Sequence, residues 1–161
     1  CLYGNDIDTT TTPSEASLVW TVAKARRKAD HPNKFPGWES IMKQITSKDV
    51  PRRRVGLLVT EQRRPPPHPS DVLNKDGLKV GQVTSGTLSP CLEKGIGMAY
   101  MDKGYNEVGS QLFIEVRGKR LQVQVCKLPF VETKYYTSKI ESFFFFFSKS
   151  LSPICSHYML Y

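Results

Sequence analysis

The residues best suited to chemistry in this 161-residue chain are a basic run, Arg52-Arg53-Arg54, a tryptophan, Trp20, and a tyrosine pair, Tyr135-Tyr136. A guanidinium donates two parallel hydrogen bonds in a fixed plane, which suits a carboxylate or phosphate. An indole offers a flat apolar face, and a phenol adds one polar tip. Successive side chains alternate along an extended strand, so Arg53 points away from Arg52 and Arg54, and only one of Tyr135 and Tyr136 can face a given ligand. By composition alone the arginines are a solvated charge run and the tyrosines plug the end of a domain. Asp6 and Asp8 are close enough for a carboxylate pair, but such segments form turns with local side-chain bonds. Gly95-Ile96-Gly97 lacks the third glycine and following helix of a nucleotide fingerprint. Cys1, Cys91, Cys126 and Cys155, like His31, His68 and His157, are scattered without metal-ligand spacing. We therefore expect a reduced compartment, no metal and no disulfide framework.

The net charge of +8 predicts an anionic partner: nucleic acid, a lipid surface, an acidic protein or a polyanionic small molecule. The longest apolar run, Phe143 to Phe147, is five residues, far short of the ~20 that a membrane helix needs.

The elements that must position these residues fall into two kinds. Residues 1–48 read as helical. Thr12-Pro13-Ser14-Glu15 is a capping box with proline at the first helical position. Ala16, Val19, Trp20 and Ala23 follow as an apolar stripe widened by Leu18 and Val22, which by itself makes Trp20 a core residue. Lys24, Arg26, Arg27 and Lys28 suit the negative end of that helix dipole, and residues 30–33 end it. A shorter helix is expected after Pro36-Gly37, with Trp38, Ile41, Met42 and Ile45 on its apolar side. Beyond it the pattern changes to strands. Residues 53–60, 72–74, 78–84, 96–101, 112–116 and 121–125 are rich in Val, Leu and Ile, and the later ones alternate. Asp76-Gly77 and Gly118-Lys119 mark hairpins, and the prolines in 63–69 rule out a central strand there. The expected fold class is α+β: a helical part, then a small antiparallel six-stranded β-barrel, then an irregular tail. Residues 140–161 show no period. Their five consecutive phenylalanines read as translated non-coding sequence and, if real, as an aggregation hazard.

These residues also stand in a distinctive order. Leu2-Tyr3-Gly4-Asn5-Asp6-Ile7 leads to Thr12-Pro13 and Leu18-Val19-Trp20, then to the basic 24–28 segment and Phe35-Pro36-Gly37. Arg52-Arg53-Arg54-Val55-Gly56-Leu57 opens the strands, followed by Asp76-Gly77, Val83-Thr84-Ser85-Gly86 and Ser89-Pro90-Cys91-Leu92. Ile96-Gly97-Met98-Ala99-Tyr100, Lys127-Leu128-Pro129-Phe130-Val131 and Tyr135-Tyr136-Thr137 close the series. The series resembles the second half of the tetrahydrofolate-dependent aminomethyltransferases, the T-proteins of the glycine cleavage system, from residue 1 to about residue 139.

What the resemblance implies is specific. Such proteins pass a one-carbon unit from the aminomethyl-lipoyl arm of an acidic carrier, the H-protein, to tetrahydrofolate as co-substrate, and release ammonia in the mitochondrion. Folate sits in a hole between three domains. By the resemblance, residues 1–48 are the end of the central folate-binding domain, 50–139 the C-terminal barrel and 140–161 a non-family tail. The family's catalytic aspartate lies upstream of residue 1, so the chain reads as an inactive piece beginning inside a domain. Trp20, Arg54 and Tyr135 match folate-contacting positions, while Tyr3, Asn5 and Asp6 match a segment shaping the floor of the hole. Arg26, Arg27 and Lys28, with Arg63 and Arg64, are a candidate docking surface for the acidic carrier. Nucleic acid and membrane are not expected as partners. Two other readings compete: a basic barrel that grips nucleic acid, and the folate-binding end of a sarcosine or dimethylglycine dehydrogenase.

Overall fold

The computed structural model describes residues 2–28, 34–61 and 63–135. The chain divides into two compact units, Cys1–Val131 and Glu132–Tyr161; of the second, only 132–135 are described. Tyr136 and the phenylalanine-rich tail lie outside the described residues.

Strands β1 (Arg52–Val59), β2 (Ser70–Leu73), β3 (Lys79–Ser89), β4 (Lys94–Asp102), β5 (Gln111–Val116) and β6 (Lys119–Cys126) close into an antiparallel barrel in the order β1-β4-β3-β2-β5-β6. Closure leaves no free sheet edge. Val55, Leu57 and Val59 point inward from β1 and meet Val72, Val80, Val83, Ala99, Met101, Leu112, Ile114, Leu121, Val123 and Val125. Leu57, Val59 and Ile114 are wholly buried, each stabilising the fold by about 1.5–3 kcal/mol. The expected strands are therefore present, and the six-stranded barrel is the core.

Both hairpins form, with details that depend on single residues. Between β2 and β3, Asn74 Oδ1 accepts from the backbone N–H of Asp76 and of Leu78, each at 2.9 Å, while Gly77 takes φ 84°. Between β5 and β6 the positive-φ pair is Arg117-Gly118, one residue earlier than expected, and Lys119 pairs with Val116. The proline-rich segment before β2 packs on the barrel where Gly86 and Gly97 face each other. Pro66 is buried there, and a Cβ on Gly97 would lie 2.6 Å from Pro66 Cγ.

The N-terminal region departs from expectation. The long helix over 13–28 does not form. Thr12 and Glu15 make both capping-box bonds, at 3.2 and 3.0 Å, but the helix ends after one turn because Ser17 takes φ 57°. Leu18 N–H then donates to Pro13 O at 2.7 Å and Ser17 N–H to Ser14 O at 3.4 Å, the pairing that closes a helix C-terminus. Two short 3-10 turns follow, Val19–Thr21 and Lys24–Arg27. The second helix does form as α1, Trp38–Ser47, with Trp38, Ile41, Met42 and Ile45 only half-buried.

Candidate functional site

The closed turn at residues 12–18 lies against the outer wall of β1, whose alternation sends Arg52 and Arg54 toward it. Arg54 N–H donates to Glu15 O at 2.8 Å, and Arg54 Nε donates to Ala16 O at 3.1 Å. Arg52 Nε sits 3.4 Å from Glu15 Oε1, and its guanidinium lies 4.9 Å from the centre of the Tyr100 ring. Glu15 is buried; its carboxylate thus serves the cap at Thr12 and the cation at Arg52 at once. A buried carboxylate is stable only when so paired. The sequence marks Glu15 as a cap residue, but nothing in it signals the second role.

With its Nε committed to Ala16, the Arg54 guanidinium borders a cavity of about 340 Å³. Ser17, Asn106, Val108, Cys126, Lys127 and Leu128 are among the other lining residues, and none of the lining residues is acidic. Burial pushes the Cys126 thiol up, away from its reactive thiolate form. The cavity therefore offers two cations and small polar groups, which is the chemistry of a carboxylate site.

A second network holds the N-terminal segment in place. Asp6 is 1% exposed. Its carboxylate accepts from Thr84 Oγ1 at 2.6 Å and from Leu2 N–H at 2.9 Å. Tyr100 donates its hydroxyl to Asp6 O at 2.7 Å. Thr84 is available because β3 bulges between Val83 and Ser85, and bulges re-aim side chains in this way. Burial pushes the Asp6 carboxyl up, but the hydrogen bonds from Thr84, Leu2 and Ser85 outweigh it and hold the group below its ordinary value. Burial also raises the Tyr100 phenol. Asp8 behaves as expected of a local turn, its Oδ1 accepting from Thr10 N–H and from the hydroxyls of Thr10 and Thr11 at 2.7–2.8 Å. Asp6 is different, reaching a strand 78 residues away.

Trp20 is 76% exposed, so the core reading is overturned: the one-turn helix breaks the stripe that would have buried it. No hydrogen bond or ring contact joins it to Arg54 among the described residues. Tyr135, in the second unit, is 81% exposed. Arg27 is committed internally, its Nε donating to Val22 O at 3.0 Å and its Nη2 to Val19 O at 2.6 Å. Arg26 and Lys28 lie on the surface, and Arg26 O accepts from Trp38 Nε1 at 3.0 Å. Arg63 pairs with Glu93, and Arg64 is exposed.

Comparison with known proteins bears on the family and the barrel. The family described as the glycine cleavage T-protein C-terminal barrel domain matches residues 52–132. The mitochondrial aminomethyltransferase of Homo sapiens is 48% identical over 139 residues, covering 86% of this chain and 33% of that protein. The probable mitochondrial aminomethyltransferase of Schizosaccharomyces pombe is 49% identical over 137 residues, covering 84% and 33%. The crystal structure of the glycine cleavage system aminomethyltransferase T from Bartonella henselae superposes with a TM-score of 0.76 at 34% identity, covering 85% of this chain and 37% of that one. The chain thus spans about a third of the length of the curated relatives it matches. With its six-stranded barrel at the matched residues, the chain belongs to the glycine cleavage T-protein family.

Proposed function

We propose that this chain forms the C-terminal part of a mitochondrial aminomethyltransferase that moves a one-carbon unit from an aminomethyl-lipoyl carrier protein to tetrahydrofolate, releasing ammonia. Residues 1–48 complete the central folate-binding domain and 50–139 form the barrel. The observation that carries the reading is the position of Arg54: fixed through Nε and bordering a cavity lined by cations and no acid. Arg54 takes the carboxylate of the folate tail. Trp20 supplies an exposed flat face for the ring system or its linker. Tyr135 matches a folate-contacting position of the family. Lys28 and Arg26 present charge to the acidic carrier, and Arg27 keeps their segment in shape by tying together Val19 and Val22. No chain residue here is assigned a proton transfer, since the catalytic aspartate belongs to the part of the family that these residues do not match.

The test is reconstitution. Purified chain with lipoylated carrier and tetrahydrofolate should show no transfer. A chimera of residues 1–135 with the unmatched N-terminal part of the human relative should transfer. A folded chimera without turnover would overturn the reading, and turnover by the chain alone would overturn its assignment as an incomplete enzyme.

A further inference from the structure

The direction in which Arg54 leaves β1 is set by the turn at residues 12–18. Had the helix begun at Pro13 continued, Glu15 O and Ala16 O would accept from N–H groups four residues further on. It ends instead at Ser17, with φ 57°, and both carbonyls are taken by Arg54. Glu15 O accepts from its backbone N–H at 2.8 Å, and Ala16 O from its Nε at 3.1 Å. The far end of the guanidinium is held more weakly, Nη1 donating to Met98 Sδ at 3.6 Å. The bond to Ala16 O is therefore the strong tie on the guanidinium.

The Glu15 side chain keeps this turn closed. Its Oε2 accepts from Thr12 N–H at 3.0 Å, and Thr12 Oγ1 accepts from Glu15 N–H at 3.2 Å. Thr12 Oγ1 also donates to Gln44 Oε1 at 2.8 Å, which ties the turn to α1. Glu15 Oε1 lies 3.4 Å from Arg52 Nε, two residues from Arg54 on the same face of β1. Glu15 is 6% exposed and Ala16 1%, so water offers no ready substitute for these partners. Ser17 and Arg54 both line the 340 Å³ cavity, and Glu15 does not. A shift of the turn thus moves one wall of the cavity and its guanidinium together.

We propose that Glu15 is a positioning residue for ligand binding: by closing the turn it fixes Ala16 O, and Ala16 O fixes how Arg54 presents its guanidinium to the cavity. The proposal rests on the reading of Arg54 as the group that takes the folate carboxylate. It assigns the effect to the cap and not to the charge. A glutamine can accept from Thr12 N–H as glutamate does, so Glu15→Gln keeps the turn and loses the pairing with Arg52. Glu15→Ala loses both.

The experiment has two readouts. In the full 161-residue chain, NMR follows hydrogen exchange of the Arg54 Nε–H. Glu15→Ala should speed that exchange about tenfold, and Glu15→Gln should leave it within about twofold. In the chimera, Glu15→Ala should raise KM for tetrahydrofolate about tenfold with kcat kept within about twofold. Glu15→Gln should keep the parent KM within about twofold. Adding Glu15→Ala to Arg54→Gln should raise KM no further, because a residue that acts through another adds nothing once the other is gone. Gly97→Ala, which loosens the barrel under Pro66, should leave KM within about twofold. Thr12→Val breaks the other half of the cap without removing a buried charge and should raise KM about threefold; it carries the test where Glu15→Ala does not fold. Unchanged KM or unchanged exchange in folded Glu15→Ala, an equal loss in Glu15→Gln, or an additive double variant would overturn the proposal. Arg54→Gln separates the two readings. If it leaves KM unchanged, the assignment of Arg54 fails and that of Glu15 falls with it. If it raises KM while Glu15→Ala and Thr12→Val do not, the positioning role alone fails.

Discussion

Replacing Asp6 tests how the N-terminal segment is anchored, because its carboxylate joins residue 2 to the bulge in β3 with almost no exposure. Asp6→Ala removes the charge-assisted hydrogen bonds from Thr84 and Leu2 and the further one from Ser85. Each of the first two contributes about 1.5 kcal/mol, so the loss is about 3 kcal/mol or more. Thr84 is not orphaned, since its hydroxyl can turn to Met98 O, now at 3.2 Å; Leu2 N–H is. Asp6→Asn should cost only about 1 kcal/mol. Its amide oxygen can still accept from Leu2, and its NH₂ can donate to Thr84 once that hydroxyl turns to Met98. The pH dependence has a definite sign. The hydrogen bonds hold the folded carboxyl below its ordinary value, so its stabilisation is complete above about pH 4 and is lost as pH falls through the folded value. Urea unfolding of the chain and both variants at pH 7 and at pH 3 reads all of this. The gap between the parent chain and Asp6→Asn should narrow at pH 3. Equal costs for the two variants at pH 7, or a gap that widens on acidification, would show that the Asp6 carboxylate does not anchor the segment.

Other consequences are open to direct measurement. Gly97→Ala forces a methyl to within 2.7 Å of Ser85 O and 2.6 Å of Pro66 Cγ; thermal unfolding should show a loss of about 2 kcal/mol. Trp20→Ala removes a side chain that is 76% exposed, so stability should change by no more than about 0.5 kcal/mol, while the chimera's KM for tetrahydrofolate should rise. Charge reversal at Arg26 and Lys28 should slow carrier association at low salt, with the difference fading as salt is added; an unchanged on-rate would show that this surface does not steer the carrier.

The barrel was legible because its information is local and repeated. Val55, Leu57 and Val59 alternate, Asp76-Gly77 and Gly118-Lys119 mark the two hairpins (the second lying one residue earlier in the structure), and prolines exclude a strand over 63–69. The direction of Arg53 relative to its neighbours followed from the same alternation. The N-terminal helix was misread for a tertiary reason. Its stripe has helical spacing, but Ser17 at positive φ closes the helix after one turn, and the freed carbonyls of Glu15 and Ala16 are taken by Arg54. No periodicity reports a strand arginine that binds a turn 38 residues earlier. Asp6 shows the same limit. Its neighbour Asp8 has the local bonds that the residue types suggest, whereas Asp6 depends on a bulge in β3 that leaves no mark in composition. Arg27 likewise looks like surface charge in sequence and proves to be an internal tie.

Steady-state kinetics of the chimera read whether Arg54 binds the folate tail from the barrel wall. Arg54→Gln should raise KM for tetrahydrofolate about tenfold or more, the loss of one charge-assisted hydrogen bond, while Arg53→Gln on the opposite side of the strand leaves it within about twofold. An Arg54→Gln chimera that folds and keeps the parent KM would show that Arg54 does not hold the folate tail.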